Sequence, residues 1–167
     1  STVLLKNEGN LLPLDPARKQ KIALIGPDAT KGCYTAGQGS GSVVTNAAVC
    51  PLAAFTALGL DVTYEEGATT AAAVAAAKAA DVAIVFGSAH SGEGHDRPDL
   101  SLGGNIDALI PAVAAAQTNT VVVMTVPGPI LTPWRDSVPA ILTNFLPGEQ
   151  VGPALFDILT GATAPPR

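Results

Sequence analysis

The run Ser88-Ala89-His90-Ser91-Gly92-Glu93-Gly94-His95-Asp96-Arg97-Pro98-Asp99-Leu100 holds both histidines of the chain and a large share of its charge. Within it, Glu93 is the residue best suited to chemistry. A carboxylic side chain between two glycines has little steric cover and can be presented to a ligand as a general acid or base. The same three residues would also suit a plain solvated loop, so context has to decide. Just upstream, Asp81-Val82-Ala83-Ile84-Val85-Phe86-Gly87 is an almost unbroken aliphatic run with a glycine stop, which reads as a buried parallel strand. Open α/β sheets place their chemistry on loops at such carboxyl ends. A second glycine-rich run, Gly37-Gln38-Gly39-Ser40-Gly41-Ser42, permits close backbone approach to a ligand, and Ser40 is a candidate contact. It lacks the third glycine of G-x-G-x-x-G, opens no helix directly after a strand, and is not matched by a G-x-x-x-x-G-K-[ST], which argues against a nucleotide.

Composition removes several other chemistries. The chain has 167 residues, a formal net charge of −5, 47% hydrophobic and 14% charged residues, which suits one domain with a sizeable core and excludes disorder. The nine basic residues are scattered, so there is no electrostatic footprint for nucleic acid, and no apolar run reaches the length of a membrane span. Aromatic content of 4% gives poor support to a sugar platform of stacked rings, although Trp134 could supply one wall. Cys33 and Cys50 are compatible with a disulfide or with two buried thiols. No Cys/His spacing suits a structural zinc, two histidines five apart are a weak metal motif, and no cofactor is expected.

The elements that must position these residues alternate between strand and helix. Residues 1–6 read as a short strand, followed by turns and a polar connector to residue 20, and residues 21–26 form a buried strand ended by Gly26-Pro27. A helix over Pro51–Leu60 has proline at its start and Gly59 near its end. A strand over Asp61–Tyr64 precedes an alanine-rich helix that Thr69-Thr70 caps and that runs to Ala80. After the Glu93 loop, apolar residues at Ile106, Leu109, Ile110, Val113 and Ala116 mark one helical face between Asn105 and Gln117. Strands over residues 119–126 and 140–144 follow, then a helix opened by Gly148-Glu149-Gln150 and ended by Gly161 and a proline-rich Ala164-Pro165-Pro166-Arg167. The expected fold is an α/β three-layer α/β/α sandwich with a mostly parallel, flavodoxin-like sheet. Residues 1–20 serve as a linker-derived strand and connector, and residues 21–167 form the sandwich.

So placed, the residues resemble the second, sandwich domain of glycoside hydrolase family 3, the family of many β-glucosidases and β-xylosidases. The likeness is carried in order by Val3-Leu4-Leu5-Lys6-Asn7, Leu11-Leu12-Pro13-Leu14, Ile22-Ala23-Leu24-Ile25-Gly26-Pro27 and Gly39-Ser40-Gly41. It continues through Ser91-Gly92-Glu93-Gly94, Asp96-Arg97, Pro133-Trp134 and Pro147-Gly148-Glu149-Gln150 with Gly152. The resemblance implies a retaining hydrolysis in which Glu93 matches the general acid/base and Ser40 a position near the first sugar. The aspartate nucleophile belongs to a (β/α)8 barrel of the same parent protein, which this sequence does not contain. It implies a β-linked glucoside or oligosaccharide as substrate, an isolated chain without activity, a sandwich truncated at its C-terminus, and a secreted or periplasmic location. Asp96 and Arg97 are expected to pair and shape the loop, Trp134 to pack between layers, and Glu93, without the barrel, to be solvated and to titrate ordinarily. The face left uncovered by the barrel would be open to self-association of the isolated chain. The competing expectation is a free-standing, non-catalytic module that binds carbohydrate or a partner protein.

Overall fold

Among the described residues, six aliphatic or β-branched segments form strands: β1 (Thr2–Asn7), β2 (Lys21–Ile25), β3 (Asp61–Glu65), β4 (Val82–Ser88), β5 (Thr120–Thr125) and β6 (Ala140–Asn144). Four α-helices intervene among them: α1 (Pro51–Ala57), α2 (Thr70–Lys78), α3 (Ile106–Ala116) and α4 (Val151–Leu159). The computed structural model describes residues 2–30 and 33–165, so Ser1 of the expected first strand and the Pro166-Arg167 end lie outside the described residues. The strands make one sheet in the order β1-β6-β5-β4-β2-β3. All neighbours are parallel except β1, which runs antiparallel along β6 with a register shift between Leu4 and Lys6.

Side-chain alternation divides the interior into two layers of packing. From β4, Ala83 and Val85 point to the face covered by α2 and α3, where they meet Ala73, Ala77, Leu109, Ile110 and Val113. Val82, Ile84 and Phe86 point to the other face, among Phe55 of α1 and Leu155 and Leu159 of α4. The result is the expected α/β/α sandwich. The small side chains of α2 suit the first face, because alanine opposite alanine lets a helix lie close to the sheet, and Thr69 caps it by accepting the Ala72 N–H at 3.2 Å.

Every residue of β4 and β5 is buried. Removing a large aliphatic side chain from water contributes about 1.5–3 kcal/mol, so β4 is among the parts of the sheet least free to shift. The loop that follows it therefore starts from a fixed end. In contrast, β3 is an edge strand with three of its five positions exposed, and it carries none of that anchoring.

Candidate functional site

Chain order within the sheet reverses between β2 and β4, since β3 lies outside β2 and the chain then returns to place β4 on its other side. Such a switch point opens a crevice at the carboxyl ends of the two strands. The loops that leave β2 and β4 meet there. Gln38 and Gly92 form a parallel bridge, and Gly92 pairs with His95 to make the tip of the second loop a tight antiparallel turn.

Glu93 sits on this turn, exposed to solvent. Its Oε2 accepts the backbone N–H of Ser40 at 2.8 Å, and its own N–H reaches the Gln38 carbonyl at 3.4 Å. The two side chains singled out in the sequence are thus brought together. Glycine is required on both loops for this approach. A Cβ on Gly39 would lie 2.4 Å from the Glu93 Cβ, and one on Gly92 would lie 2.6 Å from the Gln38 Cβ. Gly39 also has φ +95°, a conformation that a side chain would strain. Hydrogen bonding from Ser40, from its hydroxyl first and its backbone N–H second, holds the Glu93 carboxyl below its ordinary range. This corrects the expectation of an ordinary titration: solvation is as expected, but the carboxylate is further stabilised by donors from the neighbouring loop.

Asp96 and Arg97 shape the loop differently from the expected ion pair. Asp96 accepts the backbone N–H of Arg97 at 2.7 Å, whereas the Arg97 guanidinium donates from Nη1 to the carbonyl of Pro129 at 2.8 Å. The arginine therefore ties the Glu93 loop to the loop after β5. Trp134 is 3% exposed and donates from Nε1 to Asp107 Oδ1 at 2.6 Å, which makes it a packing residue and not a stacking platform. The same Asp107 accepts the Leu102 N–H at 3.0 Å and so links the end of the Glu93 loop to α3.

Beneath the Glu93 loop lies a cavity of about 770 Å³, lined by Asp28, Ser88, His90, Arg97, Asp99 and Asn105 among others. Glu93 is not part of its wall. Asp28 and Ser88 are each 8% exposed, and the Ser88 hydroxyl donates to Asp28 Oδ2 at 2.8 Å. His90 Nε2 lies 2.9 Å from the same hydroxyl, and the His90 ring stacks on Tyr34 with centroids 4.0 Å apart. Burial raises the Asp28 carboxyl, with hydrogen bonding from Ser88, the charge of His90 and the Tyr34 backbone acting in the opposite sense. Sequence reasoning did not single out Asp28, Ser88 or Tyr34. The available signal was the position of two of them: Asp28 directly after the Gly26-Pro27 strand stop, and Ser88 as the one hydroxyl closing an apolar strand.

Cys33 and Cys50 form a disulfide, which settles the alternative left open by the sequence. It closes the loop that carries Gly39 and Ser40 onto the first residue before α1. Among the described residues, no group of three or more His, Cys, Asp or Glu side chains is arranged to hold a metal ion. No described helix is long and apolar enough to cross a membrane.

Comparison with known proteins covers nearly the whole chain. Residues 2–166 match the model of the glycosyl hydrolase family 3 C-terminal domain. The thermostable beta-glucosidase B of Acetivibrio thermocellus is 35% identical over 193 residues, which take in 99% of this chain and 24% of that protein. An exo-alpha-(1->6)-L-arabinopyranosidase of Bifidobacterium longum is 34% identical, again over 99% of this chain and 24% of its own length. The crystal structure of beta-glucosidase D2-BGL from Chaetomella raphigera superposes with a TM-score of 0.88 at 35% identity, covering 98% of this chain and 27% of that one. The chain thus spans about a quarter of the length of these relatives.

Proposed function

The chain belongs to glycosyl hydrolase family 3, as its C-terminal domain, and from that premise we propose that it is the acid/base-bearing half of a retaining β-glycosidase, most simply a β-glucosidase. The observation that carries this reading is the presentation of Glu93: a solvent-exposed carboxylate at the carboxyl end of the buried strand β4, oriented by the Ser40 amide. Retaining cleavage needs two carboxyl groups about 5–5.5 Å apart, one attacking the anomeric carbon and one protonating the leaving oxygen. Glu93 supplies the second. The attacking carboxylate comes from a barrel domain elsewhere in the parent protein, and Ser40, whose amide orients Glu93, is the proposed contact to the first sugar.

Several features support a covering domain over this face. Val43, Val44, Leu100, Leu131, Phe145 and Leu146 are exposed, and all six lie on loops that follow the carboxyl ends of β2, β4, β5 and β6. Large exposed apolar side chains gathered on one rim mark an interface. Covering that rim would also reverse the direction of the Glu93 shift, because a drier surrounding and a second carboxylate both raise a carboxyl, which an acid catalyst needs.

The test is made in the full-length protein that carries this domain. Glu93→Ala should lower turnover of an aryl β-glucoside by about 10²–10⁴-fold, and added azide should restore part of it by attacking the glycosyl intermediate without base assistance. Unchanged turnover in the variant overturns the assignment.

A further inference from the structure

The geometry points to His90 as a positioning residue for Glu93, acting through Ser88 and Asp28 on one side and through Tyr34 on the other to hold the loop tip against Ser40. Its catalytic meaning rests on the acid/base reading above, but the structural link does not.

Between the fixed end of β4 and the exposed carboxylate there are only four residues, Ala89 to Gly92. A short loop with free φ and ψ at Gly92 and Gly94 would wander unless something pinned it. His90 is the side chain placed to do so. The Ser88 hydroxyl lies 2.8 Å from Asp28 Oδ2 and 2.9 Å from His90 Nε2. One hydroxyl, able both to donate and to accept, therefore bridges the imidazole to the buried carboxyl. The imidazole is thereby fixed to a buried pair on the floor of the cavity. Its flat face stacks on Tyr34, whose planes are inclined by 22°, and Tyr34 Oη approaches the Ser91 carbonyl at 3.4 Å.

This arrangement couples the two loops that must meet. Tyr34 is next to the disulfide-bonded Cys33 and lies on the segment that leads to Gln38, Gly39 and Ser40. His90 lies on the segment that leads to Gly92 and Glu93. The stack and the hydrogen bond join the segments at their roots, and the Gln38–Gly92 bridge joins them near their tips. Losing the root contact leaves only the long Tyr34 Oη–Ser91 contact and the short tip bridge between exposed loops, which are too weak to define the geometry of the Ser40–Glu93 hydrogen bond. Arg97 holds the returning side of the loop to Pro129 and does not replace His90, because it lies beyond the tip.

The experiment has two readouts. In this chain alone, the Ser40 amide proton should move downfield as Glu93 ionises, a nuclear magnetic resonance signature of that one hydrogen bond. His90→Ala and Ser88→Ala should abolish the response while the rest of the spectrum keeps its dispersion. His90→Phe, which keeps the stacked ring but has no ring nitrogen, should weaken it. In the full-length parent, His90→Ala should lower kcat/KM for an alkyl β-glucoside by about tenfold or more, yet change kcat/KM for a dinitrophenyl β-glucoside by less than about threefold, because that ratio reports formation of the glycosyl-enzyme, for which the second leaving group needs no proton. A general structural defect would slow both alike. An unaltered Ser40 response in a folded His90→Ala chain overturns the proposal, and an unaltered response in His90→Phe overturns its hydrogen-bonded arm. If the Ser40 response depends on His90 while Glu93→Gln leaves alkyl glucoside hydrolysis intact, the positioning link stands and the acid/base reading falls.

Discussion

The backbone N–H of Ser40 donates to Oε2 of Glu93 at 2.8 Å, joining residues 53 positions apart on two loops that leave different strands. The Ser40 hydroxyl adds to the same effect and is the larger cause of the lowered Glu93 carboxyl. Ser40→Ala removes the hydroxyl and keeps the amide, so Glu93 should titrate closer to its ordinary range, as read from its carboxyl carbon resonance. A depressed carboxyl stabilises the fold above its unfolded value and loses that contribution as pH falls through the depressed midpoint. The difference in thermal midpoint between wild type and Ser40→Ala should therefore close on acidification, and be small throughout because Glu93 is exposed.

On the reading proposed above, the direction should be opposite in the full-length parent protein. The limb of the pH–rate profile that disappears in Glu93→Gln is expected above the Glu93 midpoint of the isolated chain. Coincidence of the two would argue that nothing covers this carboxylate during turnover.

Gly39→Ala combines strain at φ +95° with a Cβ that would sit 2.4 Å from the Glu93 Cβ. We expect a loss of about 1–3 kcal/mol together with loss of the Ser40–Glu93 hydrogen bond. Gly94→Ala is the control, since φ is +73° but no atom lies within 4 Å of the added Cβ. It should cost about 1 kcal/mol and leave the bond in place. Denaturant titration and the Ser40 amide resonance separate the two cases.

Removing the Cys33–Cys50 bond by a double alanine substitution releases a 17-residue separation in the unfolded chain. The expected cost is about 3 kcal/mol, measured as a lower denaturation midpoint. A reducing agent should bring the wild type to the same midpoint and leave the double variant unmoved.

Asp28 is raised by burial, so the stability it contributes is present in acid and is lost as pH rises through its folded midpoint. Asp28→Asn keeps an acceptor for the Ser88 hydroxyl and carries no charge. Its stability relative to wild type should therefore increase between a pH of about 3 and neutrality. A decrease would mean that the donors around Asp28 favour the ionised form more than burial opposes it.

The sequence made the layered architecture legible because continuous apolar runs such as Val82–Phe86 and Val121–Val126 can only be strands buried on both faces, and Ile106, Leu109, Ile110 and Val113 repeat at helical spacing. Glu93 and Ser40 were legible as separate candidates, each marked by flanking glycines. Their contact was not, because it depends on the register of two irregular loops and not on periodicity. Asp96 and Arg97 show the same limit: adjacent opposite charges suggested a pair, but the backbone N–H of Arg97 reaches Asp96 first, and the guanidinium finds a carbonyl on another loop. Asp28 and Ser88 were hidden because nothing in the local pattern reveals that two polar side chains 60 residues apart become buried partners.

The mutual contact of Gly39 with Glu93 and of Gly92 with Gln38 has a bearing on how new specificities could be built on this scaffold. Each loop is moulded on the missing side chain of the other, so neither can be exchanged for a donor's version by itself. Grafting experiments should move the two segments as one inherited cassette, and swaps of a single segment should produce chimeras whose carboxylate has lost its seat.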